Sequence, residues 1–307
     1  MKDLKAPFPW FGGKSRVARV VWAALGDVEH YIEPFAGSLA VLLSRPHEPR
    51  IETINDLDRY VANFWRAMTA DPEAVAHYAD WPVNEVDLFA RHLWLVNEGR
   101  DALERGLEND PEWFDPRIAG WWVWGQCCWI GSGWCSGTGP HRTRPHLGDA
   151  GRGVHRKLPH LGDEPPIYAY MRTLGERLRK VRVCCGDWRR VVTMGAMNHG
   201  KTVGVFLDPP YGSDAKRTKG VYSTDSLSVA RDVQAWCLAN ENDPRLRIVL
   251  AGYEDEHADA LRGWRCHAWK ANAAYNSSAG GGINAGNRGK ERLWFSPSCL
   301  TPETSDA

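Results

Sequence analysis

Asp208-Pro209-Pro210-Tyr211 follows directly on the apolar run Val203–Leu207, and its residue types suit chemistry on a planar exocyclic amine. Two consecutive prolines fix φ and carry no N–H, which leaves the local carbonyls free to accept hydrogen bonds from a ligand. Asp208 adds a carboxylate acceptor, and Tyr211 offers a flat face on which a ring can stack. The plainer alternative is a turn that closes a buried strand. Four more pieces precede it in order: Trp10-Phe11-Gly12-Gly13-Lys14, Glu33-Pro34-Phe35-Ala36-Gly37, Asn55-Asp56 and Gly186-Asp187-Trp188. Taken singly, Gly12-Gly13 could be a turn, Asp56 a helix N-cap and Asp187 a turn acid.

The elements that must position these residues follow a doubly wound rhythm of strand, turn, helix, strand and acid. A helix is expected from Ser15 to Leu25, a short strand from His30 to Pro34 and a helix through Leu39–Leu43. A second strand, Arg50 to Ile54, runs into Asn55-Asp56-Leu57-Asp58 and a helix through Trp65. From about Ala70 to Arg172 there are helical patterns at Pro72–Tyr78 and Val86–Val96, then a loop-rich tract without a convincing strand. Strands resume at Val181–Cys185, Val203–Leu207, Arg247–Leu250, Arg265–Trp269 and Arg292–Phe295, with helices at Ser226–Leu238 and Glu256–Leu261. The expected architecture is α/β: a Rossmann-like sheet domain over 1–70 and 173–307, interrupted by a mainly helical module over 71–172. Thr301 to Ala307 reads as a disordered tail.

With 307 residues, 43% hydrophobic and 25% charged, the chain can bury a full core in one large domain or two. Its 38 basic and 38 acidic residues cancel, so no overall field advertises a polyanionic partner, although a basic face can be balanced elsewhere. Eight cysteines include the adjacent pairs Cys127-Cys128 and Cys184-Cys185. Neighbouring cysteines make strained disulfides and no secretory segment opens the chain, so reduced thiols in a cytoplasm are expected. A zinc site at Cys127, Cys128, Cys135 and His141 lacks a paired C-x-x-C spacing, and no metal is expected. No apolar run approaches membrane-spanning length, so no membrane partner is expected.

Many of the sixteen tryptophans crowd the interrupting module, at 121, 122, 124, 129 and 134. Arg142, Arg144, Arg152, Arg156 and Lys157 follow, interleaved with glycine, proline and a repeated Pro-His-Leu-Gly-Asp at 145–149 and 159–163. Such a run is commonly a solvated face, and its four histidines could hold a metal. Basic residues spaced by glycine and proline after an aromatic cluster fit a loop lying along phosphates better.

The five pieces in this order resemble the Dam-like, α-type DNA adenine N6-methyltransferases, in particular their bacteriophage-borne branch. The resemblance covers nearly the whole chain, including an insertion where that family keeps its target-recognition domain. It implies a Rossmann-like fold, S-adenosylmethionine as cofactor, double-stranded DNA as partner, and a bacterial or phage-infected cytoplasm. The oligomeric state is left open, with a monomer favoured. Trp10, Gly12 and Lys14 would border the cofactor and target-base pocket, while Glu33, Phe35 and Gly37 would form the first cofactor loop. Asp56 would accept bonds from ribose hydroxyls, and Asp187 from the cofactor's adenine amine. Asp208 and the Pro209 carbonyl would each accept an N6 hydrogen of a flipped-out adenine, and Tyr211 would stack on its ring. Lys216, Arg217 and Tyr222, within Asp214–Asp225, would belong to a lid over phosphate and base. The Gly-rich stretch Ala279–Gly289, followed by Lys290 and Arg292, is a second DNA-facing candidate or a plain hairpin connection.

One position departs from the family's Phe-x-Gly-x-Gly loop: Leu39 stands where the second glycine is usual. Leucine does not readily enter left-handed φ, so a reshaped loop and altered cofactor affinity are expected. Two other functions stay in view, a cytosine-N4 or RNA amino-methyltransferase and a DNA-binding relative without turnover. A His/Cys nuclease is a weaker third, because no ligand pair has suitable spacing.

Overall fold

The computed structural model describes residues 4–10, 12–110, 112–130, 133–136, 145–146, 153–154, 164–210, 226–269 and 291–301. Tyr211, Arg142, Arg144, Arg152, Arg156, Lys157, Lys216, Arg217 and Tyr222 lie outside these residues, as do Phe11, His141, the Gly-rich stretch 279–289 and the tail beyond Thr301.

Seven strands form one sheet: β1 (His30–Glu33), β2 (Ile51–Asp56), β3 (Val181–Cys185), β4 (Val203–Leu207), β5 (Leu246–Tyr253), β6 (Arg265–Ala268) and β7 (Glu291–Phe295). Their order is β3-β2-β1-β4-β5-β7-β6, with β7 antiparallel to both its neighbours and the other pairings parallel. This is the Rossmann-like, doubly wound α/β architecture expected from the strand–helix rhythm. Strand order reverses between β1 and β4, so the chain leaves their C-terminal ends in opposite directions and opens a crevice there.

Both faces of the sheet are covered, so β1 and β4 are buried at every position, β4 as an apolar run and β1 with His30 and Glu33 among its buried residues. Successive side chains on a strand point to opposite faces, and the two cores divide accordingly. Tyr31, Phe206 and Val249 enter one cluster; Ile32, Val205, Leu207, Ile248 and Leu250 enter the other. The second cluster is closed by Val233 and Cys237 of a long helix between β4 and β5.

Helices α1 (Ala18–Leu25), α2 (Ala40–Leu43) and α3 (Arg59–Ala70) follow the expected pattern, α1 starting three residues late because Val17 N–H is drawn to the Lys14 carbonyl at 3.0 Å. Asp58 caps α3 by accepting from Tyr60 N–H at 2.8 Å. Between β2 and β3 come α4 (Pro72–Ala79), α5 (Glu85–Trp94), a π-helical turn over Leu95–Gly99, α6 (Arg100–Asn109), α7 (Pro116–Cys128) and α8 (Pro166–Leu178). The tract expected to be loop-rich after Val96 therefore holds helices, and Trp121, Trp122 and Trp124 lie on α7. That helix buries residues on nearly every side, Ile118, Trp122, Val123, Trp124 and Cys128 among them, so it shows no amphipathic period to read. Residue 172 falls inside α8, and α8 packs on both α3 and α4. Trp122, Trp124, Met171 and Leu174 of this tract share one hydrophobic cluster with Tyr31 and Phe206 of the sheet.

The remaining elements are a 3₁₀ turn over Trp188–Val191, α9 (Met194–Met197), α10 (Ser226–Asn240) and α11 (Glu254–His257). The helix expected over Glu256–Leu261 stops at His257, whose ring turns inward onto Trp294, 5.3 Å between centroids. β5 runs three residues beyond its expected end, to Tyr253, because β7 pairs with it that far. All eight cysteines are free thiols. Among the described residues no helix is long and apolar enough to cross a membrane, and no His, Cys, Asp or Glu cluster could hold a metal ion.

Candidate active site

β4 delivers Asp208 and Pro209 to the crevice beside β1, where the N-terminal segment meets them. Lys14 Nζ donates to Asp208 Oδ2 at 2.8 Å and to the Gly12 carbonyl at 2.6 Å. The Lys14 side chain is 3% exposed and that of Asp208 22%. Gly12 sits at φ +70°, a left-handed backbone that turns its carbonyl back onto the lysine, and Gly13 N–H closes the turn on the Trp10 carbonyl at 3.1 Å. The segment leading to this turn is held by helices of the β2–β3 tract. Tyr170 Oη of α8 donates to the Lys5 carbonyl, and Gln126 Nε2 of α7 donates to the Pro9 carbonyl at 3.4 Å.

The loop after β1 is stitched to β2 and β3 by hydrogen bonds. Gly37 N–H donates to Asp56 Oδ2 and Asp58 N–H to Asp56 Oδ1, both at 2.9 Å. Asn55 Nδ2 donates to the carbonyls of Pro34 at 3.0 Å and Gly186 at 2.9 Å, while Gly186 N–H donates to the Asp56 carbonyl at 3.1 Å. Trp65 Nε1 of α3 donates to the Gly37 carbonyl at 2.9 Å. Gly37 has φ +45°, and a Cβ there would lie 2.4 Å from Trp10 Nε1, so the Trp10 indole rests directly on the glycine backbone.

Leu39 corrects an expectation. It adopts the left-handed conformation itself, φ 54° and ψ 28°, immediately before α2. Its side chain is fully buried in the core cluster, and that burial offsets a backbone cost of about 1–2 kcal/mol.

Two buried acids give the crevice its electrostatic character. Glu33 is pushed up to about 8, chiefly by loss of hydration; Tyr31 Oη, donating to Oε2 at 2.9 Å, opposes the rise, and the nearby Asp208 charge adds to it. Asp56 is pushed up to about 7 by burial and by the Asp58 charge, against the backbone N–H groups of Gly37, Asp58 and Leu57. A carboxylate offers about four acceptor sites in all, so Asp56 retains capacity for a hydroxyl donor beyond those bonds.

Asp187 follows β3 at the same edge of the sheet and is exposed. It accepts from Arg189 N–H at 2.9 Å and from Arg189 Nη1 at 3.2 Å. Phe35 and Trp188 face each other with ring centroids 6.1 Å apart, tilted by 33°. Glu33 and Asp56 end β1 and β2, and Phe35, Gly37, Asp187, Asp208, Pro209 and Pro210 lie on the loops that follow strands at this C-terminal edge, with Trp10, Gly12 and Lys14 on the segment laid against it. Sequence reasoning missed Trp65, whose indole fixes the Gly37 carbonyl, and Trp269, whose ring centroid lies 5.7 Å from Lys14 Nζ. No local motif marks either one.

Residues 10–90 match the profile of the D12 class N6 adenine-specific DNA methyltransferases. That stretch holds Trp10, Gly12, Lys14, Glu33, Phe35, Gly37 and Asp56; Asp187 and Asp208 lie beyond it. The chain is also similar to proteins named DNA adenine methylase from two Vibrio cholerae serotype O1 strains, one classical Ogawa and one El Tor Inaba. Each is 27% identical over 111 residues, which are 35% of this chain. The matched stretch spans 39% of the length of those relatives.

Proposed function

We propose that this chain is a site-specific DNA adenine N6-methyltransferase, moving a methyl group from S-adenosylmethionine to a flipped-out adenine in double-stranded DNA. The observation that carries the proposal is the Lys14–Asp208 pair at the β1–β4 crevice, beside the loop that Asp56 holds by Gly37 N–H. A D12-class match over the loop residues and the methylase names of the relatives support the same reading.

The donor set fits the cofactor. Glu33 and Asp56 are buried acids whose ionised forms are penalised, and a ligand bearing positive charge and hydroxyl donors relieves both. Trp10, Gly37, Glu33 and Asp56 would hold it, with Phe35 and Asp187 at the adenine end. Bound there, S-adenosylmethionine would supply an electrophilic methyl group on sulfur.

The adenine amine is a poor nucleophile because its lone pair is delocalised into the ring. Asp208 and the Pro209 carbonyl each accept one N6 hydrogen, which lets the nitrogen become pyramidal and aims its lone pair. Lys14 occupies one side of Asp208 Oδ2 and keeps the carboxylate turned toward the crevice. The contribution is positioning and electrostatic preorganisation, and no strong base is needed because the methylated, ammonium-like nitrogen is acidic. Extruding the base costs a few kcal/mol of stacking and pairing. Tyr211 is assigned to stack on it, Lys216, Arg217 and Tyr222 to the lid, and Arg142, Arg144, Arg152, Arg156 and Lys157 to backbone phosphates.

Residues 71–172 are assigned to target recognition. On motif order the protein belongs with the bacteriophage-borne branch, acting in the cytoplasm of a bacterial or infected cell. A DNA-binding relative without turnover rested on Leu39, and the left-handed backbone of that residue weakens the case.

The deciding experiment is methyl transfer to unmethylated duplex DNA, read by nucleoside mass spectrometry. N6-methyladenine with wild type and none with Asp208→Ala is the expected result. N4-methylcytosine, or methylation of RNA alone, would replace the adenine assignment. No methylated base from folded protein would favour the binding-only relative.

A further inference from the structure

We infer that Trp269 is a positioning residue of the acceptor site, its indole face holding the Lys14 ammonium against Asp208. This rests on the proposed role of Asp208 as acceptor for the amine hydrogens.

Trp269 directly follows β6, where its backbone N–H donates to the Glu291 carbonyl of β7 at 3.3 Å. It is 9% exposed and its ring centroid lies 5.7 Å from Lys14 Nζ, inside the range of a cation–π contact. β6 stands three places from β4 in the sheet, roughly 14 Å at ordinary strand spacing. The contact is therefore made by a large side chain reaching over the C-terminal edge, and not by neighbouring strands.

The lysine head is thus held by the Gly12 carbonyl at 2.6 Å, the Asp208 carboxylate at 2.8 Å and the indole face. A lysine on a flexible four-carbon stem is a poorly directed charge unless its surroundings fix it. Gly12 and Asp208 supply two directions, and Trp269 supplies another. Weakening that contact removes one of the directions that hold the ammonium on Oδ2, and Asp208 is then less firmly oriented. Trp269 acts on the amine through Lys14, with no requirement to touch the substrate.

Trp269→Phe keeps a π face, whereas Trp269→Met keeps only a smaller apolar side chain without one; Trp269→Leu serves if the methionine variant does not fold. Single-turnover methylation should fall about tenfold in Trp269→Met and much less in Trp269→Phe, the loss expected for a desolvated cation–π contact. Cofactor affinity by calorimetry should stay at the wild-type value in both. In a Lys14→Met background, Trp269→Met should cost nothing further, because the group it acts through is gone. Wild-type rates in Trp269→Met, or an equal loss in both backgrounds, would reduce Trp269 to a wall of the fold.

A readout independent of turnover is the ring-current shift on the Lys14 side-chain methylene protons, assigned by its absence in Lys14→Met. It should persist in Trp269→Phe and vanish in Trp269→Met. If wild type shows that shift but transfers no methyl group, the role of Asp208 fails while the contact stands. If wild type is active and the shift is absent, Trp269 is excluded.

Discussion

Lys14 Nζ lies 2.8 Å from Asp208 Oδ2, although 194 positions separate the two residues in the chain. The pair joins the N-terminal turn to the end of β4 and puts a nearly buried cation on the carboxylate proposed to accept the amine. Replacing Lys14 by methionine keeps the stem and removes the charge. Single-turnover methylation should drop on the order of 10²-fold, as for loss of one preorganised donor. Thermal stability should also fall, toward the lower end of the roughly 3–5 kcal/mol for a broken buried pair, because Asp208 is 22% exposed. Rapid-quench methylation and a melting curve measure the two effects, and an unchanged rate would detach Lys14 from the chemistry.

Gly37 is under the Trp10 indole with left-handed backbone, so Gly37→Ala brings a clash and strain together. Cofactor affinity should weaken by roughly tenfold or more, since each effect costs about 1 kcal/mol or above. Adding Trp10→Ala removes the clash but not the strain, and it also deletes a side chain assigned to the cofactor, so the affinity should not recover. Calorimetric titration with S-adenosylmethionine reads both steps. Full binding by Gly37→Ala would show that this loop does not hold the cofactor.

Leu39→Gly sets two opposing terms against each other. Glycine relieves a left-handed cost of about 1–2 kcal/mol. It also empties a fully buried leucine site, a loss of roughly 2–5 kcal/mol. The cavity wins, and urea denaturation should show a net loss of about 1–3 kcal/mol. A more stable variant would mean that strain at Leu39 exceeds the value of its packing.

Glu33 and Asp56 make stability depend on pH in a definite direction. Their folded-state values are pushed up to about 8 and about 7, from ordinary values of 4.5 and 3.8. Between those limits the native state holds protons that the unfolded chain has released, so stability falls as pH rises. The contribution is fully present below about pH 4 and is lost through pH 7 to 8. Denaturation midpoints from pH 5 to 8.5 should decline, and Glu33→Gln should flatten the upper part of that slope. A midpoint that rises across this range would contradict the burial of both acids in their protonated forms.

Much of the sheet was legible because its strands are short segments ended by turn residues, and β1, β2, β3 and β4 each place a motif at the C-terminal end. Val203–Leu207 with Asp208-Pro209, and His30–Glu33 with the Gly37 loop, can be read locally because period, length and turn chemistry are local properties. Helix α7 was not legible, since a helix apolar on nearly all sides carries no period to detect. Leu39 takes a backbone conformation that its intrinsic φ preference opposes, because the core that its side chain fills outweighs that preference. Sequence alone determined which chemical groups are present and which turns carry them. Tertiary structure alone decided that Lys14 meets Asp208, that Trp10 covers Gly37 and that Trp269 comes within 5.7 Å of the lysine. Those contacts arise from strand order and from helices packed against the N-terminal segment, and pairings between distant parts of a chain leave no local trace in it.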